Sequence, residues 1–142
     1  GDKMLALGDL NGDGEITGKE VFGNETVDPF TGAKLNAQNG FEALKMVAES
    51  AEKHTNIKII DAKGHVNIQK LKQALEESGK GSLGMISGDN NHTLEALSDV
   101  KSINVNNYDE TPETGDVAHN QKGTYIDTSN TERKVHDVWF AV

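Results

Sequence analysis

The sequence predicts an α+β fold, with an EF-hand-like calcium loop and short helices followed by a C-terminal antiparallel β tail. Three features indicate this class: an acidic, glycine-containing loop near the N-terminus, two amphipathic segments of helical period in the middle, and alternating apolar segments at the end. At 142 residues the chain is most simply a single calcium-binding domain over residues 1–142. Its abrupt start predicts a fragment of a larger protein.

The composition narrows the possible partners. Asp and Glu number 23 against 14 Lys and Arg, which gives a net charge of −9. This charge repels phosphate backbones and anionic lipids, so the sequence predicts neither a nucleic-acid partner nor membrane insertion, and it favours cations. The absence of cysteine excludes disulfides, thiolate catalysis and the usual zinc sites.

The segment DLNGDGEITGKE, Asp9 to Glu20, matches the EF-hand calcium loop position by position. Hard cations take oxygen ligands, and the two-residue spacing turns successive side-chain oxygens toward one centre. Gly14 permits the left-handed turn, and Ile16 provides an apolar anchor to the core. The predicted Ca²⁺ ligands are Asp9, Asn11, Asp13, Glu15 through its backbone carbonyl, Thr17, and Glu20 as a bidentate carboxylate.

An ordinary polar turn is the alternative interpretation, because Asn-Gly and Asp-Gly are common turn formers. Agreement at several loop positions together favours calcium. The preceding segment KMLAL is too short for a stable incoming helix, so it predicts a strand or coil. This flank is typical of a structural site rather than of a sensor with paired EF-hands.

Two helices are predicted in the middle of the chain. The segment NGFEALKMVAESAEKH has one apolar face, made of Phe41, Leu44, Val47, Ala48 and Ala51. The segment IQKLKQALEES has another, made of Ile68, Leu71, Ala74 and Leu75. Asn67 is positioned to cap the second helix at its start, and Gly79 to end it.

The structure of the remaining segments is predicted from turn-forming residues and from the period at which apolar residues recur. A Gly-rich loop is expected from Gly79 to about Asn91, and then a short helix LEALSDV capped by Thr93. The segments KSINVNNY, GTYIDT and VHDVWFAV alternate and predict strands, joined by an acidic loop at Asp109–Gly115 and a turn near Asn130.

Two later segments partly resemble the first loop. DAKGHVN, from Asp61, has Lys63 where an acidic ligand belongs, and SGDNNHTLEAL, around Asp89, lacks the two-residue spacing. Neither is expected to bind a cation. The five histidines are scattered along the chain without a helical i, i+4 pair, so no metal cluster is predicted from them.

The order DLNGDGEITGKEVFGNET, NGFEAL, LEALSDVKSINV, GTYI and DVWFAV resembles the calcium-binding region of large secreted bacterial repeat-in-toxin (RTX) proteins, also called hemolysin-type. The resemblance spans 9–142 and is thin between about 49 and 88. It implies the same calcium ligands as the loop pattern, and one site where relatives have several.

Some of these relatives contain a self-processing module, in which calcium triggers cleavage of an Asp-Pro bond and the freed aspartyl group can join a lysine. This chain has one such bond, Asp28–Pro29, with Lys34 nearby. In the relatives the bond precedes the first loop, whereas here it follows the loop. A proline in an ordinary turn is therefore the favoured interpretation.

The leading hypothesis is a non-enzymatic, calcium-binding structural module of a secreted or cell-surface bacterial protein, ordered by Ca²⁺ after export. The N-terminus lacks the regions of a signal peptide, which predicts export by another signal. Calcium and the rest of the parent protein are the expected partners, and no host partner is indicated. The alternatives are calcium-dependent self-cleavage at Asp28–Pro29 and a dockerin-like interaction module, which would need a second loop–helix repeat.

Overall fold

A computed structural model of the chain describes residues 2–8, 22–23, 25–87, 94–97, 99–106, 122–136 and 139–141. These residues form two helices, α1 (Gly40–Thr55) and α2 (Ile68–Glu77). The strands are β1 (Asp2–Leu7), β2 (His65–Asn67), β3 (Leu83–Ser87), β4 (Ser102–Asn104), β5 (Lys122–Ile126), β6 (Glu132–His136) and β7 (Trp139–Ala141). The mixed α+β class is therefore confirmed. No helix among the described residues is long and apolar enough to cross a membrane.

The strands form one antiparallel sheet in the order β2-β4-β5-β6-β7-β1-β3. The first strand lies inside this sheet, with Met4 opposite Ile86 of β3 on one side and opposite Trp139 of β7 on the other. Leu5 and Leu7 enter the main core, and Ala6 packs on the opposite face. β1 pairs with β3 over residues 3–7 and with β7 over residues 2–4. Its residues 5–7 are fully buried, which explains why this part of the strand is apolar.

The prediction that the β structure is a C-terminal tail was only partly right. The strands β4 to β7 do come from the predicted tail, but the predicted single strand VHDVWFAV is divided between β6, which ends at His136, and β7, which starts at Trp139 and pairs antiparallel with β6. The strands β1, β2 and β3 come from the first 87 residues and belong to the same sheet. For the segment KMLAL the sequence predicts either a strand or coil, and the structure shows a strand, as part of β1. The strand β3 lies within the stretch that was predicted as a Gly-rich loop, so that prediction was wrong for 83–87.

Both predicted helices are confirmed, and all nine predicted core residues on their apolar faces are buried. Full burial of a large apolar side chain contributes about 1.5–3 kcal/mol, which accounts for much of the stability of each helix in the fold. In α1, the Asn39 side chain accepts a hydrogen bond from the Glu42 N–H at 2.9 Å. This cap satisfies one of the free donors at the helix start.

The ends of α2 are also as predicted. The Asn67 side chain accepts from the Lys70 N–H at 3.1 Å. At the other end Gly79 has φ +66°, its N–H donates to Glu76 O, and the Lys80 N–H donates to Leu75 O at 2.9 Å. This pair of bonds is a Schellman motif, which needs the left-handed conformation that glycine adopts freely.

The predicted helix LEALSDV is wrong for its described residues 94–97. Glu95 instead forms a bridge with Met85, and their backbone groups exchange two hydrogen bonds of 2.9 and 2.6 Å. Leu94 packs on Ala6 and Ile86 across the sheet. Pairing with the edge strand β3 and this apolar contact outweigh the local helical preference of the segment.

The turn predicted near Asn130 joins β5 to β6, and Asp127 organises it. The buried Asp127 carboxylate accepts from the Ser129 and Thr131 N–H groups at 2.9 and 2.8 Å and from Arg133 Nε at 2.6 Å. The hydrogen bond from Arg133, together with those from the backbone, lowers the pKa of Asp127 below its usual value. The hydrogen bonds of the β5–β6 turn therefore favour the ionised form of this carboxylate.

We expect Asp127→Ala to lower the thermal unfolding midpoint by several degrees, because it leaves two turn N–H groups and Arg133 without their acceptor. The matched control is Glu132→Ala, which removes an exposed carboxylate in the same turn region. Because the folded-state pKa of Asp127 is lowered, its contribution is present at neutral pH and is lost as the pH falls through that value. Unfolding followed by circular dichroism from neutral to acid pH checks this. A midpoint difference between parent and Asp127→Ala that persists in acid would contradict the assignment.

Candidate metal centre

The predicted calcium ligands, from Asp9 to Glu20, lie outside the described residues. The structure instead shows how both ends of this loop are attached. Over the part of the chain that is described, no group of three or more His, Asp or Glu side chains is placed to hold a metal ion. The calcium site therefore stays a prediction from the sequence, and the two attachments define its surroundings.

The loop is entered from β1, whose last residues are buried. Leu7 is in the main core, and the Gly8 N–H donates to Ser82 O at 2.6 Å, just before β3. A Cβ added to Gly8 would lie 2.8 Å from Ser82 N, which is closer than real Cβ contacts allow. The chain therefore passes into Asp9 from a position that is fixed against β3 and that requires glycine.

The loop is left at Phe22, whose ring is buried in the same core as Leu7. After it, the Gly23 N–H donates to Thr26 Oγ1 at 2.7 Å, and this hydroxyl donates to Gly23 O at 2.9 Å. Thr26 is itself fully buried. Both ends of the segment 9–21 are thus held by one hydrophobic core, so the ends of the loop cannot separate without disturbing that core.

The Asp61 segment, the second partial match to a calcium loop, is a tight turn before β2. Asp61 Oδ1 accepts from the N–H groups of Lys63 and His65, both at 2.9 Å, and Oδ2 lies 3.3 Å from His65 Nδ1. Gly64 has φ +85°, and its N–H donates to Asp61 O. The hydrogen bond from the His65 N–H is the main cause that lowers the pKa of Asp61. This carboxylate serves its own turn, which supports the expectation that the segment binds no cation.

The third partial match, around Asp89, lies outside the described residues, as does Thr93. Of the five histidines, the structure describes the side chains of His54 and His65. They belong to different segments, and each is engaged locally. The predicted absence of a histidine metal cluster stays a prediction for the others.

The Asp28–Pro29 bond lies at the tip of a small hairpin in which Val27 bridges Lys34. The Asp28 carboxylate is buried, and its Oδ1 accepts from the Phe30 N–H at 2.8 Å. The Asp28 carbonyl oxygen accepts from the Gly32 N–H, also at 2.8 Å. This is an Asx turn around proline, the arrangement expected for an ordinary structural Asp-Pro sequence.

A second contact ties this hairpin to α1. Ser50 Oγ donates to Asp28 Oδ2 at 2.8 Å, and the ring of His54, one turn later, stacks on Phe30 with 5.2 Å between ring centroids. His54 Nδ1 lies 2.8 Å from Ser50 O. Ser50 gave no signal in the sequence, because its partner is 22 residues away. Both carboxylate oxygens of Asp28 are thus occupied.

This geometry restrains the chemistry of the Asp28–Pro29 bond. Self-cleavage requires a carboxylate oxygen of Asp28 to attack its own carbonyl carbon. In this structure the carboxylate would first have to release the Phe30 N–H and the Ser50 hydroxyl. Each of these hydrogen bonds is charge-assisted, and such bonds are about twice as strong as neutral ones. The ordered hairpin therefore opposes reaction at this bond.

A comparison with protein-family models gives one match, to the family described as SPM domain, over residues 1–141. No curated protein sequence matches the chain. The family match thus covers β1 through β7 and both helices, as well as the predicted calcium loop.

The attachment of the loop gives a paired prediction for Gly8 and Gly23, which flank it. We expect Gly8→Ala to destabilise the protein by about 1–3 kcal/mol, since its Cβ meets the backbone of Ser82. Gly23→Ala has nothing within 4 Å of the added Cβ and serves as the matched control. Chemical unfolding with and without Ca²⁺ measures both. Equal stability of the two variants would contradict the fixed attachment of β1 to Ser82.

Proposed function

The chain belongs to the SPM domain family, and we propose, from its sequence pattern, that it is a calcium-binding structural module of a secreted or surface RTX-type bacterial protein, ordered by Ca²⁺ after export. The observation that carries the proposal is the twelve-position loop pattern from Asp9 to Glu20. The family match gives the chain a defined domain, and the loop gives this domain a ligand. The proposed role is non-enzymatic.

The charge of the loop explains why a cation is needed. Asp9, Asp13 and Glu20 would bring three carboxylates together around one centre, in a chain that already carries a net charge of −9. Without a cation these carboxylates repel one another and favour an open loop. A dication reverses the sign of this interaction, and the neutral Asn11 limits the repulsion that remains.

The attachments of the loop explain how calcium binding would stabilise the rest of the fold. Its two ends are Gly8, fixed against Ser82, and Phe22, buried in the main core. A closed loop would hold β1 and Phe22 at a set separation, so calcium binding and core packing would support each other. A ligand that binds only the folded state adds about 2.7 kcal/mol when its concentration is a hundred times the Kd. This is a substantial fraction of the stability of a small domain.

The coupling between calcium binding and folding would also determine when the module becomes ordered. Calcium is scarce in the bacterial cytoplasm and abundant outside the cell. A loop of modest affinity would thus be empty before export and filled afterwards. The gain in folding free energy would then arise on the side of the membrane where the parent protein works.

Removal of a predicted ligand tests the calcium site directly. We expect Glu20→Gln and Asp9→Ala each to weaken calcium binding by roughly tenfold or more, because a charged oxygen ligand is lost. Calorimetric titration of the chelator-stripped protein measures the affinity. Glu25→Gln is the matched control, since Glu25 is exposed and its carboxylate lies 4.0 Å from Lys34 Nζ.

The titration also separates one site from several. We expect one binding event in the parent protein, and Asp61→Ala should leave its affinity unchanged, since the Asp61 carboxylate is engaged in its own turn. If Glu20→Gln binds calcium as tightly as the unsubstituted protein does, the site assignment is wrong. A second event that disappears in Asp61→Ala would show that the second loop binds a cation.

Self-processing is the second candidate function. The resemblance to RTX proteins implies an Asp-Pro bond before the first calcium loop, and the Asp28–Pro29 bond follows that loop and is held in a turn. The reaction would therefore act on an Asp-Pro bond in a segment joined before β1. Since β1 pairs with β7 and β3 on its two sides, such a segment would leave the sheet at a fixed place, next to Ala141 opposite Asp2.

The chemistry of that reaction is an intramolecular acyl transfer. A side-chain oxygen of the aspartate attacks the carbonyl carbon of the same residue, and the proline nitrogen takes up a proton and leaves. The cyclic anhydride that forms is opened by water, or by a lysine amine to give an isopeptide bond. The module would contribute by ordering the reacting segment when calcium binds.

Intact mass after incubation with calcium distinguishes the two candidates. We expect the mass of this chain to stay unchanged, and Asp28→Asn to behave identically, since the hairpin protects the bond. A fusion that places a segment containing an Asp-Pro bond before β1 tests the second candidate. Calcium-dependent loss of that segment, blocked by a chelator, would support self-processing. Cleavage of the chain between residues 28 and 29 would contradict the structural role of the Asp28 turn.

A further inference from the structure

A cavity of about 450 Å³ lies beside the start of α2, and its described lining includes no residue of the predicted calcium loop. Its walls come from the connection between α1 and β2, from β2, from the first turn of α2 and from the ends of β4 and β5. This volume falls within the range of about 300–1,000 Å³ that is typical of small-molecule sites. Nothing in the calcium function uses this cavity.

The charge of its lining is opposite to the charge of the protein. Lys58, Lys70 and Lys101 line the cavity, and each comes from a different segment. Among the described residues of the lining Asp61 is the one acidic residue, so these four residues sum to +2, in a chain whose net charge is −9. A local reversal of sign of this kind favours an anionic ligand.

The lysines are not neutralised by neighbours. Among the described residues none of the three forms an ion pair, and the carboxylate of Asp61 is used by the Lys63 and His65 N–H groups and by the His65 ring. Lys101 Nζ donates to Asn130 Oδ1 at 2.6 Å, and this neutral contact holds its ammonium group without removing the charge. Three like charges around one cavity repel one another unless an anion lies between them.

The helix that starts at the cavity adds to this field. α2 has no acidic residue in its first turn and no basic residue in its last turn, whereas α1 has Glu42 at its start and Lys53 and His54 at its end. In α2, Lys70 lies in the first turn and Glu76 near the end, so the side-chain charges oppose the helix dipole. An anion in the cavity would supply the negative charge that the start of α2 lacks.

The rest of the lining combines the polar side chains of His65, Asn67 and Ser102 with three isoleucines, and the apolar part limits the kind of anion. Ile59 is 2% exposed, and Ile60 and Ile126 are half-buried around it. A hydrated inorganic ion would leave this surface unused. An organic molecule could place its charged group on the lysines and an apolar body on the isoleucines.

We propose that this cavity binds a small organic anion, with a carboxylate or phosphate group contacted by Lys58, Lys70 and Lys101 and an apolar body packed on Ile60 and Ile126. The site is independent of the calcium loop. Affinity would arise from charge-assisted contacts with the lysine ammonium groups and from burial of the apolar body.

The test is a titration followed by two-dimensional NMR in calcium-containing buffer, with phenyl phosphate and benzoate as probes. We expect saturable shifts at the backbone amides of Gln69, Lys70 and Ser102. The double variant Lys58→Gln/Lys70→Gln should weaken binding by about tenfold or more. Lys134→Gln, an exposed lysine on β6, is the matched control and should leave the affinity unchanged. The relative affinity of the two probes tells a phosphate site from a carboxylate site.

Methyl phosphate and acetate, which lack the ring, test the apolar part and should bind several-fold more weakly. Equal binding of the small and the ring-containing probes would overturn the assignment of the isoleucine surface. The absence of saturable shifts at these amides, or equal loss of affinity in Lys134→Gln and the double variant, would overturn the site itself. The calcium affinity of the same double variant should match that of the unsubstituted protein. Failure of the anion-site proposal can therefore be told apart from failure of the calcium proposal.

Discussion

The pairing of β1 with β3 is the interaction on which the rest of the structure depends. Five consecutive residues of β1 are in register with β3, and the Gly8 N–H continues the attachment to Ser82 O at 2.6 Å. The two strands bring the start of the predicted calcium loop onto the core that also holds Phe22, at its end. A loop whose two ends rest on one core can influence that core by opening or closing. This is the physical basis for our proposal that calcium, if bound in this loop, would stabilise the whole domain.

The helices and the last strands could be predicted because their signals are local. The faces of α1 and α2 repeat with helical period, and Asn67 and Gly79 mark the ends of α2 by their own side-chain and backbone preferences. The strand β3 and the bridge at Glu95 could not be predicted, because their conformation depends on pairing with other segments, β1 for β3 and Met85 for Glu95. Leu94 to Leu97 are good helix formers, yet the edge of the sheet offers them hydrogen bonds that a short, isolated helix does not.

The candidate functional features also differ in whether their residues lie in one short segment or come from distant parts of the chain. A calcium loop can be proposed from the sequence because every proposed ligand lies within twelve residues, Asp9 to Glu20, at fixed spacing. The surroundings of Asp28 combine a hairpin with Ser50 on α1, and the cavity combines lysines from three separate segments. No spacing rule connects such residues. The overall acidity of the chain even pointed away from a basic cavity, since a net charge describes the sum and not its distribution.

The place of β1 in the sheet has a consequence for the order of folding. Its two neighbours are β3 and β7, so Met4 must meet Trp139 near the other end of the chain before the sheet is complete. Such a fold has a high contact order, and folds of this kind form slowly because large loops must close first. The sheet cannot be completed until both β1 and β7 are available to pair. The topology itself thus makes completion of this sheet depend on two strands that are separated by most of the described residues, whichever of them forms first.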